Sequence, residues 1–84
     1  MAGAYRLIIR NYLLQSFGLD TLADDLDIFE SGVGNSLFAI QLMTFLEKNA
    51  HIKITSEDLD LGNFKSVNAI CDFIDRKKRA QVIA

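Results

Sequence analysis

The residues best suited to chemistry lie in one short stretch, Gly32-Val33-Gly34-Asn35-Ser36, and a long apolar-rich run follows it. Glycine and asparagine are typical of a loop, and a serine before periodic apolar residues is typical of the cap at the beginning of a helix. The first backbone N–H groups of a helix have no partner inside it, and their partial positive charge favours an anion such as a phosphate. We therefore expect Ser36 at a helix tip, where it either only caps the helix or carries an attached anionic group.

Nucleophilic catalysis by this serine finds no support in the rest of the chain. A nucleophilic serine needs a base, usually a histidine that a third group orients. The single histidine, His51, follows the predicted helix, and a rise of 1.5 Å per residue puts it about 20 Å from Ser36. The sequence also lacks the Gly-x-Ser-x-Gly pattern of a nucleophile elbow. We expect no catalytic residue and no enzyme activity, so another protein must catalyse any reaction at Ser36.

Metal binding is not indicated by the pattern of cysteine, histidine and aspartate. One cysteine and one histidine cannot build a structural zinc site. Asp24, Asp25 and Asp27 are close in sequence but lack the glycine and the distal glutamate of an EF-hand loop. We therefore expect no metal site, and we expect Cys71 to be a buried residue of the last helix.

Apolar periodicity predicts an all-α fold within a single domain that spans residues 1–84. The helices are expected at approximately residues 4–17, 36–49, 56–60 and 66–79, with residues 80–84 as a tail. Gly18 is the expected end of the first helix and Ser66 the expected cap of the last. The long connection between the first two helices carries scattered apolar residues, which indicates that it packs against the core.

The second predicted helix has two apolar faces. At 100° per residue, its core stripe consists of Ala39, Leu42, Met43 and Leu46. Leu37 and Ile40 lie on a different face, together with polar residues, and this face is a candidate docking surface. After this helix, three apolar residues of the connection that contains the short third helix are expected to point inward: Leu59, Leu61 and Phe64.

Charge is distributed unevenly along the chain. Its formal net charge is −2, but no lysine or arginine occurs between Asn11 and Glu47. The acidic residues of that stretch are Asp20, Asp24, Asp25, Asp27, Glu30 and Glu47. An acidic surface argues against nucleic acid as a partner and favours proteins with basic patches. The sequence contains neither a long apolar run nor a signal peptide, so we expect a cytoplasmic protein that does not bind membranes.

The loop before Ser36 contains Asp27-Ile28-Phe29-Glu30-Ser31-Gly32, and Asn35-Ser36-Leu37 follows. These residues resemble the prosthetic-group attachment region of acyl and peptidyl carrier proteins, in which the serine is esterified with 4′-phosphopantetheine. The resemblance continues to about residue 77 through Phe45-Leu46-Glu47-Lys48, Ile52-Lys53-Ile54, Asp58-Leu59 and Asn63-Phe64-Lys65-Ser66-Val67. It implies a right-handed four-helix bundle with three long helices, one short helix and a long first loop, and attachment of the group to Ser36.

Two departures from the family pattern narrow the resemblance. Asn35 replaces the aspartate of the usual Asp-Ser-Leu motif, and one additional residue lies between Phe29 and Ser36. Both features are similar to discrete carrier proteins that hold methoxymalonyl, hydroxymalonyl or aminomalonyl extender units for polyketide synthesis. The resemblance thus implies a short polar cargo. We expect this cargo to stay outside the bundle, because Phe38, Met43 and Phe45 would fill the interior that a fatty chain needs.

The family also implies partners for the chain. These are a phosphopantetheinyl transferase, an acyl-loading enzyme, and polyketide synthase, nonribosomal peptide synthetase or tailoring enzymes, each visited by a carrier monomer. The expected docking residues are Leu37, Ile40, Gln41, Thr44 and Glu47, with Glu30 and Asn35 at the edge.

Two other functions remain open from the sequence, and a third is disfavoured. Within the carrier class, the cargo could be an aminoacyl or a fatty-acyl group, since a loading enzyme selects it. In a different class, the chain could be an unmodified helical adaptor that uses the same apolar face for protein binding. A small DNA-binding domain would need a basic helix face, and the second predicted helix has only Lys48 near its end.

Overall fold

The computed structural model describes residues 2–32 and 34–83, which form three α-helices and two short 3-10 turns and contain no β-strand. The helices are α1 (Ala2–Phe17), α2 (Ser36–Ala50) and α3 (Val67–Ile83), and the turns are Ser56–Asp58 and Leu61–Asn63. The expectation of an all-α fold is confirmed. None of these helices is long and apolar enough to cross a membrane.

Helix α1 ends where its sequence predicts. Gly18 has a φ of +65°, a left-handed conformation that glycine adopts without a steric penalty. The N–H of Leu19 then donates to the carbonyl of Leu14 at 2.9 Å and closes the helix end. Helical periodicity in the sequence places Ile8 on one apolar stripe with Ile9 and Leu13. Ile9 and Leu13 are buried, but Ile8 is exposed, so the buried stripe of α1 is narrower than this periodicity indicates.

The short third helix expected over residues 56–60 is replaced by the two 3-10 turns. Asp58 and Thr55 form a capping box around the first turn, and Asp60 caps the second by accepting from the N–H of Gly62 at 2.9 Å. Leu59, between the turns, has φ −77° and ψ 73°, outside the helical region. These local side-chain hydrogen bonds compete with a continuous α-helix, so the segment turns twice.

Helix α3 is longer than predicted. Its beginning agrees with the sequence, because the hydroxyl of Ser66 accepts from the N–H of Ala69 at 3.1 Å. Its end lies beyond the expected residue 79, because the helix continues to Ile83 and includes residues 80–83, which were expected to form a tail. Neither glycine nor proline interrupts this stretch, and the helix therefore propagates through it. Ala84 lies outside the described residues.

One core joins the three helices and the long connection. Its buried members are Ile9, Leu13, Leu22, Ile28, Phe38, Leu42, Leu46, Ala50, Ile52, Phe64, Val67, Ile70, Cys71, Phe73 and Ile74. Cys71 is buried as predicted, and this burial raises the pKa of its thiol. Because Leu22 and Ile28 belong to the connection, the loop that leads to Ser36 is part of the folded core.

Candidate functional site

Asn35, and not Ser36, caps helix α2. Asn35 has extended backbone angles, its side-chain oxygen accepts from the N–H of Phe38 at 2.9 Å, and its carbonyl accepts from the N–H of Ala39 at 3.0 Å. Of the two roles expected for Ser36, a cap or an attachment point, the first is excluded, because asparagine caps as well as serine and precedes it by one residue. Ser36 is the first helical residue, and its side chain is exposed.

The turn before Asn35 directs the chain towards this helix tip. A carboxylate oxygen of Asp27 accepts from the N–H groups of Phe29 and Glu30, each at 3.0 Å, and forms an Asx turn. Gly34 then donates its N–H to the carbonyl of Ile28 at 2.7 Å. A Cβ atom at Gly34 would lie 3.4 Å from that carbonyl and 3.5 Å from the ring of Phe29, which is ordinary van der Waals contact, so the space around this position does not by itself require glycine.

The same loop is attached to the helices on both sides of the bundle. The N–H of Ile28 donates to the carbonyl of Lys65 at 2.7 Å, directly before α3. Asp24 pairs with Arg6 and Arg10 of α1, and its carbonyl accepts from the N–H of Asn68 of α3 at 3.0 Å. The position of Ser36 relative to α1 and α3 is therefore set by this loop.

The ion pairs of Asp24 with Arg6 and Arg10 reduce the negative charge that the acidic stretch presents to a partner. The negative charge of Asp24 is offset by two guanidinium groups, so it contributes little to an acidic surface. Asp25, Asp27 and Glu30 line an open concave surface beside the loop. Within residues 2–32 and 34–83, no group of three or more histidine, cysteine or acidic side chains converges as a metal site would require.

All seven residues expected at the docking surface are exposed: Glu30, Asn35, Leu37, Ile40, Gln41, Thr44 and Glu47. Leu37 and Ile40 expose 64% and 60% of their surface, and because residues three apart adjoin on a helix they form an exposed apolar patch. Two of the polar residues also have local roles. The Thr44 hydroxyl donates to the carbonyl of Ile40 at 3.2 Å, and a carboxylate oxygen of Glu47 accepts from the N–H of Ile54 at 3.0 Å.

Leu59 and Leu61 belong to this surface, although sequence reasoning assigned them to the core. They are 60% and 48% exposed, and of the three residues predicted to point inward only Phe64 is buried. Together with Asp60 they form one wall of an apolar cleft of about 260 Å³. The opposite wall belongs to α2, and the lining residues there are Ser36, Ala39, Ile40 and Met43. The sequence feature that could have predicted the exposure of both leucines is the charged residue between them, in Leu59-Asp60-Leu61.

The surroundings of Ser36 fit the attachment of a phosphate-linked group better than catalysis by this chain. Among the described residues, none exchanges a hydrogen bond with the Ser36 hydroxyl. His51 is the C-cap of α2, so the length of this 15-residue helix separates it from Ser36 by about 20 Å. The exposed hydroxyl, the positive end of the helix dipole and the adjoining apolar cleft together suit a phosphodiester that continues into a longer organic chain.

Two comparisons with known proteins were made, and one of them identified a family. A search of curated proteins gave no significant match. In a comparison with models of protein families, residues 8–74 match the family described as "phosphopantetheine attachment site". This region contains α2 in full, the loop before it and the cleft beside it. The match covers most of the chain, and the chain therefore belongs to the phosphopantetheine attachment family, whose carrier domains hold 4′-phosphopantetheine covalently.

Proposed function

We propose that Ser36 is the attachment residue and that the chain is a single acyl carrier domain serving polyketide or nonribosomal peptide synthesis. One observation carries the proposal: within the family match, Ser36 is an exposed first helical residue whose hydroxyl is not used as the cap. When attached, the prosthetic group supplies a terminal thiol that holds an acyl group as a thioester. The chain itself supplies position and a docking surface.

The chemistry of attachment belongs to a transferase in this proposal. A base is needed to remove the proton of the Ser36 hydroxyl, but His51 lies at the other end of α2, and Asp60, the acidic residue that shares the cleft with Ser36, already accepts from the N–H of Gly62. The N-terminus of α2 favours the phosphodiester once it has formed, because the helix dipole is positive there. Asn35 fits this role, since it caps the Phe38 N–H without adding a second negative charge.

Partners dock, in this proposal, on the exposed apolar residues of α2 and the acidic groups at their edge. Leu37 and Ile40 provide the apolar contact, and Glu30 and Glu47 attract a basic partner surface. A small docking patch of this kind binds weakly, with a dissociation constant in the micromolar range and a free energy of roughly −8 kcal/mol or weaker. Weak binding suits a carrier that visits several enzymes in turn.

The cargo proposed is a short polar extender unit that remains outside the bundle. Aromatic rings pack tightly between α1 and α2: the ring centroids of Tyr12 and Phe45 are 4.0 Å apart, and those of Phe17 and Phe38 are 4.5 Å apart. This packing supports an external cargo, because a long acyl chain would have to displace the rings. A methoxymalonyl, hydroxymalonyl or aminomalonyl group would need no such displacement. An aminoacyl or a fatty-acyl group is the alternative cargo.

Intact mass spectrometry after incubation with a phosphopantetheinyl transferase and coenzyme A tests the attachment. We expect the wild-type chain to gain the mass of one phosphopantetheine group and Ser36→Ala to gain none. Ser56→Ala is the matched control, since Ser56 is also exposed and also begins a helical turn; this variant should be modified like the wild type. A wild-type chain that stays unmodified would instead favour the unmodified adaptor. The mass of the protein isolated from its own host identifies the cargo.

A further inference from the structure

Residues 55–63, here called the strap, lack a buried residue of their own. The core residue Ile52 precedes the strap and the core residue Phe64 follows it, but every residue of the strap itself is exposed or half-buried. Apolar burial therefore holds the two ends of the strap and contributes little to its middle. Segments with few buried apolar contacts open at a lower free-energy cost than the core around them.

Polar contacts from α3 hold the middle of the strap in place. Lys77 donates from Nζ to Oδ2 of Asp58 at 2.7 Å, and Arg76 donates from Nη2 to Oδ1 of Asn63 at 2.9 Å. The same Asp58 oxygen accepts from the N–H and the hydroxyl of Thr55 at 2.9 and 3.1 Å. One carboxylate oxygen thus closes the first turn and joins the strap to α3. The hydrogen bond from Lys77 is the largest cause that lowers the pKa of Asp58.

The opposite side of the strap faces the candidate functional site. Leu59, Asp60 and Leu61 form the wall of the apolar cleft that faces α2, and Ser36 lies at the edge of that cleft. The width of the cleft therefore depends on where the strap lies. Since Lys77 contacts the strap on the side of α3, it influences the cleft without lining it.

We propose that the strap is a hinged wall of this cleft and that the pair of Asp58 and Lys77 is its latch. With the latch closed, the strap is held towards α3 and the cleft keeps its volume of about 260 Å³. With the latch open, the strap is released from α3, Leu59 and Leu61 approach α2 about the buried ends of the strap, and the cleft narrows. Lys77 is then a positioning residue, and its relevance to an attached group rests on the proposed function, whereas the motion itself does not.

Amide hydrogen exchange of the unmodified chain, followed by NMR, tests the latch. The informative amides are those of Asp58, Asn63 and Phe64, whose hydrogen bonds of 3.0, 2.9 and 3.0 Å close the two turns. In Lys77→Met, which keeps the aliphatic stem but loses the charge, we expect these amides to exchange about fivefold faster. Lys77→Arg, which can still donate to Asp58, should restore exchange to nearly the wild-type rate.

Arg79→Met is the matched control, because it removes one cation from the same helix. Arg79 pairs with Asp75 of α3 at 3.7 Å, so its loss should leave exchange in the strap unchanged. The methyl resonance of Met43, which lines the cleft, should shift in Lys77→Met and not in Arg79→Met. Equal acceleration in the strap and at core amides such as that of Leu13 would overturn the latch, as would unchanged exchange in the strap. Because no prosthetic group is involved, these results are independent of whether Ser36 is modified.

Discussion

Because Asn35 caps helix α2 and Ser36 does not, substitutions of these two residues should change the free energy of unfolding by different amounts. In the structure, the side chain of Asn35 satisfies the N–H of Phe38 at 2.9 Å, and the Ser36 hydroxyl satisfies no backbone group of the described chain. Loss of a helix N-cap costs about 1 kcal/mol, within a range of 0.5–2 kcal/mol. Asn35→Ala should therefore lower the free energy of unfolding by about 1 kcal/mol, which for a domain of this size corresponds to a decrease in melting temperature of about 4–8 °C.

Ser36→Ala should behave differently. Alanine has a higher helix propensity than serine by a few tenths of a kcal/mol, and no capping hydrogen bond is lost, so stability should stay the same or rise slightly. Asn35→Asp keeps the capping oxygen and adds a negative charge at the helix N-terminus, which stabilises by about 0.3–1 kcal/mol. Urea unfolding followed by circular dichroism measures all three variants. If Ser36→Ala loses about 1 kcal/mol and Asn35→Ala loses nothing, the serine is the cap and the reasoning about its free hydroxyl fails.

Three further predictions concern docking, pH and thiol chemistry. Leu37→Ala should raise the KM of a phosphopantetheinyl transferase for the carrier several-fold with little change in unfolding free energy, because the side chain is mostly exposed; an unchanged KM would remove Leu37 from the docking surface. The pKa of Asp58 lies below its ordinary value of 3.8, so its contribution to stability is present above about pH 4 and is lost as the pH falls through the lower folded-state value. The difference in unfolding free energy between wild type and Asp58→Asn should accordingly shrink in acid, and a difference that grows would contradict this sign. Cys71, buried and with a raised pKa, should react with a thiol reagent at neutral pH only on unfolding, as mass spectrometry with and without urea will show.

Much of the fold follows from local sequence patterns. The C-terminal end of α1 and the beginning of α3 were predictable because a glycine and a serine supply short-range backbone chemistry at Gly18 and Ser66. The position of Ser36 at the beginning of a helix was predictable for the same reason. The expectation that a prosthetic group is attached there came from the family resemblance. The exposure of Leu37 and Ile40 followed from helical periodicity alone.

The remaining features depend on contacts between residues distant in sequence or on competition between neighbours. Asn35 and Ser36 are both good caps, and the sequence does not show which of them has extended backbone angles. The sequence did not predict that the strap forms two turns. Asp58 and Asp60 each cap a separate turn, and this local capping competes with the continuous helix that the sequence also allows. The pairing of Asp24 with Arg6 and Arg10 also escaped prediction, because those arginines lie a helix away in the chain.

The central claim is that one hydroxyl at the tip of α2 carries the prosthetic group. Its most direct test is peptide mapping by tandem mass spectrometry of the wild-type chain after reaction with a transferase and coenzyme A. The account predicts that the added phosphopantetheine mass is found on Ser36 and on no other residue. Localisation of that mass to another serine, such as Ser31 or Ser56, would contradict it.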